Sequence, residues 1–413
     1  MVEEKYGDIM VAKITRASHW GGFGAVATAL LVAVTLAGCG GPTATWSDRD
    51  DPKAAGAGTE QPISLAITAP TAKATDVPTS AEIGLRLSGA DKTEVVLTAE
   101  DGTTITGELR QDGSSWVPGQ QLAYGTTYTV KATASNAAGT VTKTSTFTTM
   151  RQTGRIMGAG LYLFDGQTVG VGMPVVVEFT RPVTDRAAVE KRLFVTSEPA
   201  VEGSWHWFGD SQVHYRPKDY WAPGTKLSVR IAIGGLPFGD GWYGKRDRVA
   251  KDITVGEDVR LEVDNTTKKL TVYKGGQVVK TIPVSLGKAS SPSSSGNLVI
   301  MEKQAEAWFD SSTYGVPVDS ADGYRTKVYH TLRLTWGGEF IHGAPWSVGD
   351  QGRRNVSHGC VNVSSANARY LFELTKIGDP VTVKNTEAHV GKGDGWTGWD
   401  MSWEDYQKGS ALS

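Results

Sequence analysis

From residue 63 to about residue 150 the chain is a succession of short runs in which apolar and polar residues alternate, at 63–68, 82–87, 95–98 and 128–133. A period of two puts alternate side chains on one face and marks half-buried strands. Asp101-Gly102 and Asp112-Gly113 separate such runs and mark tight turns. About 90 residues of this pattern predict an antiparallel sandwich of immunoglobulin-like size, without the Cys…Trp…Cys hallmark. A diverged copy follows. Trp116, Pro118, Gly125 and Val130 align with Tyr215, Pro217, Gly224 and Val229, so Pro118 to Pro217 and Gly125 to Gly224 are each 99 residues apart. Gly turns the chain and the next alternate apolar residues enter a core, which predicts the same corner twice. Neither copy clusters titratable residues at catalytic spacing. His206 and His214 are isolated and are expected to be structural, and both domains read as spacers or weak wall-binding modules.

Past residue 259 the pattern changes. The runs 260–263, 269–273 and 278–284 predict strands, the second and third joined by a hairpin turn at Lys274-Gly275-Gly276-Gln277. A loop containing Pro292 leads to another strand at 296–300. Ser364 or Ser365 caps a helix expected to run to about Ile377, with Tyr370, Leu371, Leu374 and Ile377 on one stripe and Gly378 ending it. A strand at 381–383 closes this part. Trp396, Trp399 and Trp403 in the tail form a short apolar face suited to docking on the second sandwich. The expected fold is therefore mainly β: two immunoglobulin-like sandwiches at 62–151 and 152–256, a β-rich domain at 257–385 buttressed by one helix, and a Trp-rich docking tail at 386–413.

The N-terminal 61 residues differ again. Lys5, Lys13 and Arg16 precede the uncharged, Gly- and Ala-rich stretch 21–38, which ends in small residues before Cys39. The run Leu36-Ala37-Gly38-Cys39 resembles a bacterial lipoprotein signal, with cleavage before a cysteine that is then acylated. An uncleaved anchor is the alternative; either reading exports the remainder of the chain. Residues 40–61 are rich in Gly, Ala, Thr, Ser and Asp and read as a flexible tether.

Charge and cysteine content narrow the function. Of 413 residues, 42 are Lys or Arg and 44 are Asp or Glu, a net charge of −2. That balance removes the electrostatic case for a nucleic-acid partner. Two cysteines exclude a disulfide framework, a four-cysteine zinc site and a cysteine-ligated iron–sulfur cluster. With Cys39 assigned to the anchor, Cys360 is a lone exported thiol, either inert and buried or reactive. An ordinary thiol is only a few per cent thiolate at neutral pH, and a neighbouring imidazolium would raise that fraction. His358 and His342 are both candidates. Residues two apart in an extended segment share a face, so His358 and Cys360 can meet one cleft. Spacing alone leaves both histidines open. Gly359 lets backbone approach a ligand closely, so amides around Cys360 suit an oxyanion hole. His342, His358 and Cys360 would also make a three-ligand zinc pattern, but no carboxylate is spaced to support it.

The segment 259–385 resembles the L,D-transpeptidases, with a YkuD-type catalytic domain, and specifically the lipoprotein-type enzymes of mycobacteria and related actinobacteria. The resemblance is carried by Ile341-His342-Gly343-Ala344-Pro345-Trp346 and Ser357-His358-Gly359-Cys360-Val361-Asn362. Further blocks are Ser285-Leu286-Gly287-Lys288, Asp310 through Pro317, and Gly323-Tyr324-Arg325. It implies Cys360 as nucleophile, His342 as base and acid, and the carbonyl of Gly343 as the group orienting the imidazole. It further implies oxyanion and substrate contacts at Tyr324, Ser357, the backbone of His358, Gly359 and Cys360, and the side chain of Asn362, with Phe309, Tyr314 and Trp346 lining the cleft or its flap. Gly343 replaces a frequent Ser and Phe309 a frequent Met. The implied partners are peptidoglycan stem peptides, a tetrapeptide donor and an acceptor stem, with carbapenem-type β-lactams as covalent inhibitors and no metal or organic cofactor. The implied reaction is a 3→3 crosslink through a thioester. An L,D-carboxypeptidase and a non-catalytic wall-binding lipoprotein are the alternatives.

Overall fold

The structure is a computed structural model that describes residues 62–413 except 315–316 and 321–322. The signal-like segment, Cys39 and the tether lie outside the described residues, as does the side chain of Tyr314. The first sandwich packs a four-stranded sheet, including Ile83–Ser88 and Ser115–Pro118, against a five-stranded sheet centred on Thr127–Asn136 and Gly139–Thr149. Ile83, Leu97, Trp116, Val130 and Phe147 fill the space between them. The second sandwich repeats the plan with two four-stranded sheets. The repeated corner is present in both. Ser115–Pro118 and Gln212–Pro217 end on proline, Gly125 and Gly224 turn at φ +62° and +85°, and Thr127–Asn136 and Lys226–Ile231 follow.

The C-terminal part is itself two sheets. One is six-stranded, in the order Gln277–Pro283, Lys269–Lys274, Val259–Asp264, Pro380–Lys384, Ser294–Val299, Ala388–His389. The other runs Glu302–Asp310, Arg325–Arg333, Phe340–Gly343, Val361–Val363. Leu261, Leu270, Val272 and Val381 from the first meet Leu332, Ile341 and Val363 from the second in one apolar core. The helix Ser365–Leu374 packs on the second sheet through buried Ala368 and Leu371. Ser364 is its N-cap, accepting from the Asn367 amide. The helix ends before Ile377 because Thr375 turns extended (φ −84°, ψ 161°) and caps the Leu371 carbonyl with both its amide and its hydroxyl.

The tail docks on the second sandwich. Trp399 Nε1 donates to the Gly172 carbonyl at 2.7 Å, and Trp396 is buried in the core of that sandwich. Arg216, 2% exposed, is enclosed by the rings of Trp399, Tyr406 and Trp403, and donates to the carbonyls of Gly398 and Met401. His206 and His214 are buried in the same region, and His206 Nδ1 meets the Tyr406 carbonyl at 2.6 Å. Val299 and Met301 join the second sandwich's core too, so the C-terminal domain shares apolar packing with it.

Candidate active site

Local pairing builds the site. Phe340–Gly343 and Val361–Val363 run parallel, with Ile341 opposite Val361 and His342 opposite Asn362. Paired residues in such a ladder project to the same face, and side chains two apart share it. Cys360, one step before the ladder, therefore lies beside Phe340, on the face that carries His342. Two residues of rise (roughly 6.6 Å) and one strand spacing (roughly 4.8 Å) separate the two backbones there. The sulfur lies 3.7 Å from the Gly338 carbonyl. The structure thus brings His342 and Cys360 to one face, whereas His358 turns outward.

His342 is 4% exposed, and its Nδ1–H donates to the Gly343 carbonyl at 3.1 Å. A nitrogen facing a carbonyl must carry the proton, so in the neutral ring Nε2 is left as the acceptor. Phe309 stands edge-on to the imidazole at 5.1 Å, and Trp346, 58% exposed, lies 6.1 Å from it. Burial pulls the His342 imidazole down to about 4. Burial also pushes the half-buried Cys360 thiol up to about 12, with the Glu339 carboxylate adding to the rise. Both shifts favour neutral thiol and neutral imidazole at rest, because too little water reaches either group to support charge.

The turn before Cys360 is held from three sides. The segment carrying Ser285 and Gly287 lies along it, with Ser285 bridging Asn362 and Gly287 bridging Ser357. Ser291 Oγ donates to the His358 carbonyl at 2.9 Å and Ser293 Oγ to the Gly359 carbonyl at 2.6 Å. Gly287 leaves no room for a side chain, since an added Cβ would fall 2.2 Å from the Ser291 carbonyl oxygen. Gly359 sits at φ +127°, a conformation that L residues with side chains rarely adopt.

Two expected substrate side chains, Ser357 and Asn362, are buried. Ser357 is buried; its hydroxyl donates to the Cys360 carbonyl at 2.6 Å and accepts from the Gly359 amide at 3.2 Å. It is a brace, and the Gly359 N–H is committed to it rather than to an oxyanion. Among the described residues the Cys360 N–H makes no hydrogen bond. Asn362 is 3% exposed and donates to Ser347 Oγ at 3.3 Å, so it backs the site from inside instead of meeting the cleft. Asn362 shares the face of His342 in the ladder, but the Pro345–Ser347 turn, whose Ser347 accepts from it, covers it. His358 is exposed, 3.1 Å from Lys288 Nζ at its Nε2, with the Tyr324 ring 5.4 Å away. Tyr324 and Phe309 belong to the hairpin Glu302–Asp310/Arg325–Arg333 and its tip, which overhangs the site.

Sequence reasoning missed Glu339, whose carboxylate is held by Ser294 beside the Gly359 turn and whose ionisation burial disfavours. Nothing in its spacing marked it, because its relation to Cys360 arises only from the ladder. Among the described residues no group of three or more His, Cys, Asp or Glu is placed to hold a metal ion.

Comparison with known proteins agrees with this geometry. Residues 258–383 match the L,D-transpeptidase catalytic domain family and residues 74–237 the bacterial Ig domain family. The chain is 38% identical over 348 residues to L,D-transpeptidase 2 of Mycobacterium tuberculosis (strain CDC 1551 / Oshkosh), covering 83% of this chain and 84% of that one. It is 32% identical over 403 residues to L,D-transpeptidase 5 of Mycobacterium tuberculosis (strain ATCC 25618 / H37Rv), covering 95% and 84%. The solved structure of LD transpeptidase LdtMt1 in complex with imipenem shares 36% identity, covering 55% of this chain and all of that one, at a TM-score of 0.48. A histidine and a cysteine on one face, in a catalytic domain preceded by immunoglobulin-like sandwiches, and identity sustained along most of the chain lead to one conclusion: this protein belongs to the L,D-transpeptidase family.

Proposed function

We propose that the protein forms 3→3 crosslinks between peptidoglycan stems through a thioester on Cys360. The observation that carries this reading is the His342 ring, pinned at Nδ1 by the Gly343 carbonyl with Nε2 left as acceptor on the sulfur's face. Nε2 takes the thiol proton as sulfur attacks the carbonyl joining the third, meso-diaminopimelate residue of a tetrapeptide stem to its terminal D-Ala. The C–N bond breaks and the imidazolium returns that proton to the departing D-Ala amine. The side-chain amine of a second stem then attacks the thioester. The C–S bond breaks, and the amine's proton passes through His342 to the sulfur. Proton transfer in step with attack suits a pair that is neutral at rest. The Cys360 amide serves as an oxyanion donor, and Phe309, Tyr324 and Trp346 flank the donor stem.

A β-lactam carbonyl offers the same thiol an activated acyl group, so carbapenems acylate Cys360; the imipenem complex of a similar enzyme supports this. Cys39 is read as the lipidated residue that holds the enzyme at the outer face of the cytoplasmic membrane, and Cys39→Ala moves the protein out of the membrane fraction. Incubation with a disaccharide-tetrapeptide tests the central reaction. Dimers that have lost one D-Ala, absent with Cys360→Ala, support transpeptidation. Tripeptide alone identifies a carboxypeptidase, and unchanged substrate contradicts both.

A further inference from the structure

Glu339 lies in the turn just before the His342 strand. Its carboxylate accepts from the Ser294 amide at 3.1 and 3.2 Å and from the Ser294 hydroxyl at 2.8 Å. Ser293, next along the chain, holds the Gly359 carbonyl, so one loop fixes both the acid and the nucleophile's turn. The Glu339 Cγ lies 3.7 Å from the point where a Gly359 β-carbon would stand. Its field is felt at Cys360. Among the described residues no Lys or Arg pairs with it, and the charge that acts on it is another acid, Asp394. A partly buried carboxylate held by neutral donors alone lacks the cation that would offset its desolvation.

We propose that Glu339 recognises the acceptor: it binds the ammonium of the incoming amine and holds it beside the acylated Cys360. This deepens the acyl-transfer reading and rests on it. An amine arrives at neutral pH as R–NH3+ and must lose a proton before it can attack. The Glu339 carboxylate takes that proton, leaving R–NH2 beside the thioester. The C–N bond forms, the C–S bond breaks, and a second amine proton passes through His342 to the leaving sulfur. Glu339 then releases its proton to solvent, and the neutral thiol is restored. Water carries no positive charge, so the same carboxylate favours amine transfer over hydrolysis.

The test uses the full chain, acylated with a tetrapeptide donor and offered two nucleophiles at pH 7. One is a diaminopimelate-containing tripeptide, whose side-chain amine is cationic; the other is hydroxylamine, which is mostly neutral. In Glu339→Gln the ratio of tripeptide to hydroxylamine transfer is expected to fall roughly tenfold, the scale of one part-buried ion pair. Glu339→Asp is expected to recover part of it. Gln retains an oxygen for Ser294, and transfer to hydroxylamine reports an intact site. A ratio within twofold of wild type in Glu339→Gln overturns the recognition role and leaves the acyl-transfer reading standing. Failure of the wild-type chain to form any acyl-enzyme overturns both.

Discussion

Burial keeps uncharged the two side chains to which the proposed acyl transfer is assigned. His342 is held near 4 and Cys360 near 12, so neither carries charge at pH 7. A pre-formed ion pair would lower the thiol's value and raise the imidazole's, and would lose activity on the alkaline side as the imidazolium deprotonates above about 6.5. A neutral pair needs only that Nε2 be unprotonated. The acid limb of kcat/KM, which reports groups of the free enzyme, is therefore expected near pH 4 rather than near 6.5. Rates measured from pH 3.5 to 8 with a carbapenem or a tetrapeptide check this, and a limb centred at 6.5 contradicts the burial argument. The motif made Cys360, His342 and the Gly343 carbonyl legible in the sequence. It did not disclose their protonation at rest, because that depends on the water excluded by the Phe309 hairpin and by the loop carrying Ser293.

At the scale of elements, the site is a turn clamped between a strand and a loop. Ser357 is its internal strut, serving the Cys360 carbonyl and the Gly359 amide at once. Ser357→Ala leaves both groups short of a partner in a confined space and is expected to cost about 2 kcal/mol of stability. It also frees the turn to move the Cys360 amide, so acylation slows along with the fall in melting temperature. Thermal unfolding and single-turnover acylation measure the two effects. Acylation at the wild-type rate would show that the strut has no part in chemistry. Most strands were legible from alternation, and the helix from its Ser364 cap. Its end was misjudged because Gly378 looked like the stop, whereas Thr375 closes the last turn with its own hydroxyl. Asn362 and Ser357 sit in a motif that reads as substrate-facing. Only the Pro345–Ser347 turn lying over Asn362, and the contacts of Ser357 with the Gly359 amide and the Cys360 carbonyl, take them out of the cleft.

Across the whole molecule, the second sandwich, the catalytic domain and the tail share buried groups. Asp379 marks one such junction. It is fully buried, its Oδ2 accepts from the Lys376 amide at 2.7 Å, and its main chain lies against Gly170 of the second sandwich. Desolvation raises its carboxyl from 3.8 to about 7. Between those values the folded chain holds a proton that the unfolded chain has released, so this group withdraws stability as pH rises from about 4 to 7. His342 acts in the opposite sense between about 4 and 6.5, where the unfolded chain binds the extra proton, so the two largely cancel in that window. Asp379→Asn removes one side of the balance. It is expected to stabilise the protein at pH 8 by about 2 kcal/mol, a gain that disappears by pH 4. Melting temperatures of both proteins across that range decide it, and a gain independent of pH would contradict the assignment. The tail's three tryptophans were legible as a docking face. The Arg216 guanidinium around which Trp399 and Trp403 gather was not, because an arginine in a strand reads as solvated until its partners, almost two hundred residues away, are in place.

The most direct measurement of the central claim is the intact mass of the protein after exposure to imipenem, with the modified residue mapped by peptide fragmentation. A single covalent adduct on Cys360 in wild type, absent from Cys360→Ala and strongly slowed in His342→Ala, is the expected result. No adduct, or an adduct that persists when Cys360 is replaced, would contradict acyl transfer through this thiol.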